Sequence, residues 1–228
     1  MKKLPIAFAM ATCLAFSNVI ADDDNNMKTY HVTITNTTAN HIITPPIVIA
    51  HKKRFKLFHV AQPASAELAT MAETGNNMPL IDSLSMDSHV SAIASGTGIH
   101  AGESITVTIE APRRSHFTVA GMLATTNDAF TAVTVKGPKR DRYSHGMAMT
   151  YDAGTEENNE LCTHIPGPPC NMDIEDGVVV NLNLRAEEYA EGFVTIHNGI
   201  HGVGDQEMDP AKLDWRGPTA LVRIHNDG

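Results

Sequence analysis

Cations are scarce in this chain: 17 Lys and Arg stand against 26 Asp and Glu, a formal charge of −9. That shortage argues against a nucleic-acid binder, whose hold on phosphates comes largely from Lys and Arg, and against adhesion to anionic lipid by bulk charge. Long apolar runs are missing too. Beyond the amino terminus nothing approaches the roughly 18 apolar residues of a membrane-spanning helix, so no transmembrane segment is expected. No Gly-x-Gly-x-x-Gly follows a strand pattern, which leaves a nucleotide fold without support. The absence of Gly-x-Ser-x-Gly does the same for serine-histidine catalysis, and the neighbours Ser115-His116 and Ser144-His145 add little because adjacent strand residues point apart.

Cysteine is limited to three positions. Cys13 falls within residues 1–21, where Lys2 and Lys3, the apolar stretch Ile6 to Phe16 and the small residue Ala21 read as a secretory signal peptide cleaved near Ala21. Thr12 is a poor residue before a lipidated cysteine, so Cys13 reads as discarded. The expected product is secreted or periplasmic, with 15 basic against 26 acidic side chains. Its remaining pair, Cys162 and Cys170, is suited to a disulfide in an oxidising compartment; two free thiols are the alternative. Residues 22–29 read as a flexible acidic leader, and 30–228 as one domain.

What is present is strand alternation. Val32 and Ile34 alternate with Thr33 and Thr35, and Ile105, Val107 and Ile109 with Thr106, Thr108 and Glu110. Further strands are expected at Ile47 to Ala50, His89 to Ala94, Ser115 to Leu123, Phe130 to Val135, Val178 to Leu184, Gly192 to Asn198 and Ala220 to His225. One short helix is expected over Ser65 to Thr74, capped by Ser65 and stopped by Gly75, while Pro79 to Asp87 reads as loop. Many short strands joined by Gly, Pro and Asn turns predict an all-β chain, an antiparallel β-sandwich with one short helix.

The chemistry concentrates between Thr125 and Glu160. Asn127-Asp128 and Asp152-Ala153-Gly154-Thr155-Glu156 form two acidic turns with a basic excursion between them. A hard cation needs several oxygen ligands, and glycine lets carboxylates on either side of a turn converge. The spacing is not that of an EF-hand loop, so a site here is assembled from separate loops. Surface turns are made of the same residues, and solvated acidic turns are the alternative. The twelve histidines are scattered, without His-x-x-x-His on a helix; His197 and His201 are four apart, but Gly199 and Gly202 favour a turn, and surface or hydrogen-bonded core histidine is the reading.

Four segments together resemble the spondin domain, known from the amino-terminal part of F-spondin and from many secreted bacterial proteins. They are His51 after Pro45-Pro46; Leu68-Ala69-x-Met71-Ala72-Glu73-x-Gly75; Met122-Leu123-x-Thr125-Thr126-Asn127-Asp128-Ala129-Phe130; and Tyr151-Asp152-Ala153-Gly154-Thr155-Glu156. The resemblance spans nearly all of the chain after residue 21. It implies an eight-stranded β-sandwich related to C2 domains and a calcium ion held by Asp128, Asp152 and Glu156. Glu156 stands where the animal motif has aspartate, which keeps charge and donor atoms but adds a methylene. The implied function is a calcium-binding, non-catalytic module for binding or adhesion, its partner an envelope or extracellular protein, a glycan or a lipid headgroup. The alternative is a carboxylate-based hydrolase of glycans using Asp128 with Asp152 or Glu156 as acid and base.

Overall fold

The computed structural model of the protein describes residues 27–139, 142–170, 174–175, 178–179 and 185–227. The expected signal peptide and the first residues of the leader lie outside these. Eleven strands occur among the described residues: β1 Met27–Asn36, β2 Ile47–His51, β3 Val90–Ser95, β4 Ser104–Pro112, β5 His116–Met122, β6 Ala129–Lys136, β7 Tyr143–Asp152, β8 Ile174–Glu175, β9 Val178–Val179, β10 Thr195–Ile196 and β11 Ala220–Asn226. The expected alternation is realised in β1, where Tyr30, Val32 and Ile34 are buried while His31, Thr33 and Thr35 face outward and meet Thr108, Thr106 and Ser104 of β4. Met27 to Thr29, read as leader, begin this strand and pair with Glu110 to Pro112.

The sandwich expectation is overturned. Eight strands form one continuous antiparallel order, β3-β2-β5-β6-β7-β11-β1-β4, and the two ends of that order meet side by side to give a nearly closed β-barrel. Gly96, just after β3, is so close to β4 that a Cβ there would stand 2.4 Å from Ile105 Cδ1. Alternation is the same in a barrel and a sandwich; the difference lies in whether hydrogen bonding breaks between two sheets. Here β7 prevents the break, pairing with β6 on one side and β11 on the other.

Helices also exceed the expectation of one. α1, Ala66–Thr74, has the expected Ser65 cap, whose side chain accepts from the Leu68 N–H, and Gly75 ends it with φ 73°. α2, Met78–Ser85, occupies the segment read as loop, with Pro79 tolerated in its first turn. α3, Pro210–Leu213, is one turn capped by Asp209.

The interior is filled by Tyr30, Val32, Ile34, Val48, Phe117, Val119, Val222 and Ile224 among others. β2 is buried along its whole length because its other face, Ile47 and Ile49, packs under Leu68, Met71 and Leu80 of the two helices. A third cluster, Ile165, Ile200, Met208 and Leu213, holds the carboxy-terminal loops together. Cys162 and Cys170 are bonded, with Cα atoms 4.7 Å apart. The strand expected over Val178 to Leu184 is described only at Val178–Val179, which pairs with β8.

Candidate functional site

Both acidic turns sit at one end of the barrel, and strand register puts them there. Ala129, the first residue of β6, is opposite Asp152, the last of β7, and the Ala153 N–H donates to the Asp128 carbonyl at 3.2 Å. Before β6 the chain is turned by Thr126, whose hydroxyl donates to the Leu123 carbonyl and accepts from the Ala129 N–H. After β7 it is turned by Gly154, with φ 71° and the Phe193 backbone so close that a Cβ would stand 2.2 Å from its carbonyl oxygen. Only glycine fits that position.

The structure buries all three sequence-predicted carboxylates at this end of the barrel: Asp128 is 0%, Asp152 2% and Glu156 3% exposed. This overturns the picture of solvated turns. Asp128 Oδ2 accepts from the Thr155 N–H at 2.7 Å, the Thr155 hydroxyl at 3.2 Å and the Glu156 N–H at 3.1 Å. Its Oδ1 is buried and has no hydrogen-bond partner. Asp152 Oδ1 accepts from the Gly154 N–H at 2.6 Å, and Oδ2 from the Asn158 amide. Near Glu156 stands the Arg185 guanidinium, its Nε 4.0 Å from Oε1, while its other nitrogens hold Glu73 at 2.6 Å and Glu187 at 2.8 Å.

Burial dominates the electrostatics. It pushes the Asp128 carboxyl up to about 7, with the Asp152 charge adding to the effect and the Thr155 and Glu156 N–H groups opposing it. Asp152 rises to about 6 by burial, against the Asn158 bond and with help from Glu191. Glu156 rises to about 8, through burial first and then the charges of Glu73 and Asp128, with Arg185 pulling down. Three carboxyls held far above their ordinary range, with one partial counter-cation, are short of positive charge.

Among the described residues no three His, Cys, Asp or Glu side chains stand in a ready metal-holding group. Both oxygens of Asp152 and one of Asp128 are turned toward N–H donors. Carboxylate oxygens carry spare lone pairs, however, and the unpaired Asp128 Oδ1 marks where an acceptor lacks its partner. All the donors are hard oxygens, the ligand class that calcium selects.

Sequence reasoning missed Asn158 and the partners of Arg185. Asn158 donates to Asp152 and, at 3.2 Å, to Glu191, and its Oδ1 meets His197 Nε2 at 3.1 Å. The Gly199 N–H donates to His197 Nδ1, so Nε2 carries the proton; burial drives the His197 pKa down to about 4 and the ring stays neutral. His197 in turn lies 5.1 Å, centroid to centroid, from Trp215, the one tryptophan of the chain. An amide two residues beyond Glu156 was the available signal for Asn158; Glu73 lay within the quoted α1 motif. No family model matches the chain, and no curated protein matches it.

Proposed function

We propose that this chain is an exported calcium-binding β-barrel module of spondin type that binds a partner rather than turning over a substrate. The observation that carries the reading is the buried, unpaired Oδ1 of Asp128 beside two further buried carboxyls. Asp128, Asp152 and Glu156 would hold the ion, with backbone carbonyls or water completing its six to eight oxygens. The ion supplies the missing positive charge and ties together two loops whose carboxylates otherwise repel. Export is supported by the charged-then-apolar amino terminus and by the Cys162–Cys170 bond. Among the described residues no helix is long and apolar enough to cross a membrane. The partner belongs to the envelope or the extracellular space: a protein, a glycan or a lipid headgroup.

A glycan hydrolase built on Asp128 with Asp152 or Glu156 draws on the same raised pKa values, since one carboxyl must stay protonated. A sugar would have to touch both groups, and their burial works against that.

Calorimetric titration of the chelator-treated protein tests the calcium reading. One calcium per chain is expected, with a rise in melting temperature and a change in Trp215 fluorescence transmitted through Asn158 and His197. Asp152→Asn should lose most of that response and Glu157→Gln little. No heat and an unmoved melting curve at millimolar calcium would end the reading. Hydrolysis of model glycans that disappears in Asp152→Asn would replace it with the enzyme.

A further inference from the structure

β7 carries a second group of donors on its opposite face, and they are soft. Its inward positions are small: Gly146 has Val135 and Val133 so close that a Cβ would stand 2.4 and 2.9 Å from their methyls, and Ala148 is buried. The large side chains of the strand therefore point out of the barrel, where Met147 is 67% and Met149 41% exposed. They are two residues apart on one face, so their Cα atoms are about 6.6 Å apart along the strand. Ala148, between them, turns inward and separates nothing. Their cross-strand neighbours are Leu221 and the small Ala132. An exposed methionine pair gains nothing from burial, but each has three rotatable bonds and a polarisable sulfur, enough to bring two thioethers onto one ion. Thioether sulfur selects soft cations. With Cys162 and Cys170 bonded to each other, the described residues hold no free thiol to compete.

We infer that Met147 and Met149 form a two-thioether site for a soft monovalent cation, copper(I) or silver(I), on the outer wall of the barrel. It is separate from the buried carboxylates, whose hard oxygens suit a different class of ion.

The test uses the full chain carrying Cys13→Ser, titrated with silver(I), and with copper(I) under ascorbate, at about pH 5. That pH lies below the ordinary pKa of an imidazole, while thioethers do not titrate. One equivalent should bind, shifting the methyl resonances of Met147 and Met149 in methyl-labelled protein. Met147→Leu/Met149→Leu should weaken binding at least tenfold; Met78→Leu/Met86→Leu, which removes two exposed methionines not paired on a strand, should not. The site is overturned if neither ion binds, if the two double variants bind alike, or if other methyls shift instead. The methyl assignment on the unsubstituted pair decides the matter even where a variant fails to fold.

Discussion

The Thr155 N–H donates to the Asp128 carboxylate at 2.7 Å across 27 positions of chain. With the Glu156 N–H on the same oxygen, it makes Asp128 the acceptor that closes the second acidic turn onto the first. Structure and charge therefore pull in opposite directions at this residue. Its oxygen is needed for the loop, while its ionised form is costly where no solvent reaches it.

Asp128→Asn separates the two demands. The amide oxygen can still accept from Thr155 and Glu156, and the buried charge is gone. In chelator at about pH 8 this variant should melt higher than the parent, yet show no further rise with calcium. Asp128→Ala loses the acceptor as well and should be less stable by about 3 kcal/mol, the scale of hydrogen bonds to a charged group. Denaturant melts of the three proteins, with and without calcium, check this; an Asn variant that keeps its calcium response would remove Asp128 from the ion's shell.

The pH dependence follows from the directions of the shifts. Asp128, Asp152 and Glu156 all have folded pKa values, about 7, 6 and 8, above the ordinary carboxylate range. Groups raised in this way favour the fold when protonated, so their contribution is complete below about pH 4 and is lost as pH climbs through those values. The buried His41 and His51 and the half-buried His116 and His197, all lowered, act against the fold below about pH 6.5, where the unfolded chain takes up protons. Between about pH 6.5 and 9 the carboxyls act alone among these groups. In chelator the melting temperature should fall by several degrees across that window, and calcium should abolish most of the fall. A flat curve in chelator would mean that the three groups are ionised at little cost.

The fold was legible where side-chain size matched direction. β1 and β4 alternate large apolar with polar residues, α1 has its serine cap and its glycine stop, and each was readable. β7 reverses the pattern, with Gly146, Ala148 and Thr150 inward and Met147 and Met149 outward, and it went unread because tight packing against Val133 and Val135 leaves space only for small residues. That one strand pairs with β6 on one side and β11 on the other, and the continuity that makes a barrel rather than a sandwich rests on it. The carboxylates were legible as residues from glycine-containing acidic turns. Their burial was not, because it depends on the register of β6 against β7 and on Arg185 and Glu73 arriving from elsewhere.

Gly154 should prove the least replaceable residue of the acidic loop. Alanine there combines φ 71° with a Cβ 2.2 Å from the Phe193 carbonyl oxygen, and the loop that carries the Thr155 and Glu156 N–H groups must move. A loss of more than about 2 kcal/mol is expected, together with the calcium response. Gly102→Ala is the matched control, with φ 76° and nothing within 4 Å of the added carbon, and should cost about 1 kcal/mol. Equal losses at the two positions would show that backbone conformation alone matters at Gly154.

Arg185 gives a prediction with opposite signs on two measurements. Its guanidinium binds Glu73 and Glu187 directly and stands 4.0 Å from Glu156, so it serves as counter-cation to the carboxyl with the highest pKa of the three. A calcium ion that takes Glu156 must replace its attraction to Arg185, a pair of unit charges 4.0 Å apart. Two unit charges 4 Å apart interact by about 1 kcal/mol in water and about 4 kcal/mol near a protein surface. Arg185 is 39% exposed, and solvent screening favours the lower figure. Arg185→Gln should therefore tighten calcium about fivefold at low salt, the factor that about 1 kcal/mol represents. The same change strips Glu73 and Glu156 of their cation, so in chelator the variant should melt lower than the parent. Salt should shrink both effects, as it does for partly exposed charges. If Arg185 instead serves only to hold its loop in place, the substitution will weaken calcium binding and stability together, and titration beside a chelator melt distinguishes the two outcomes.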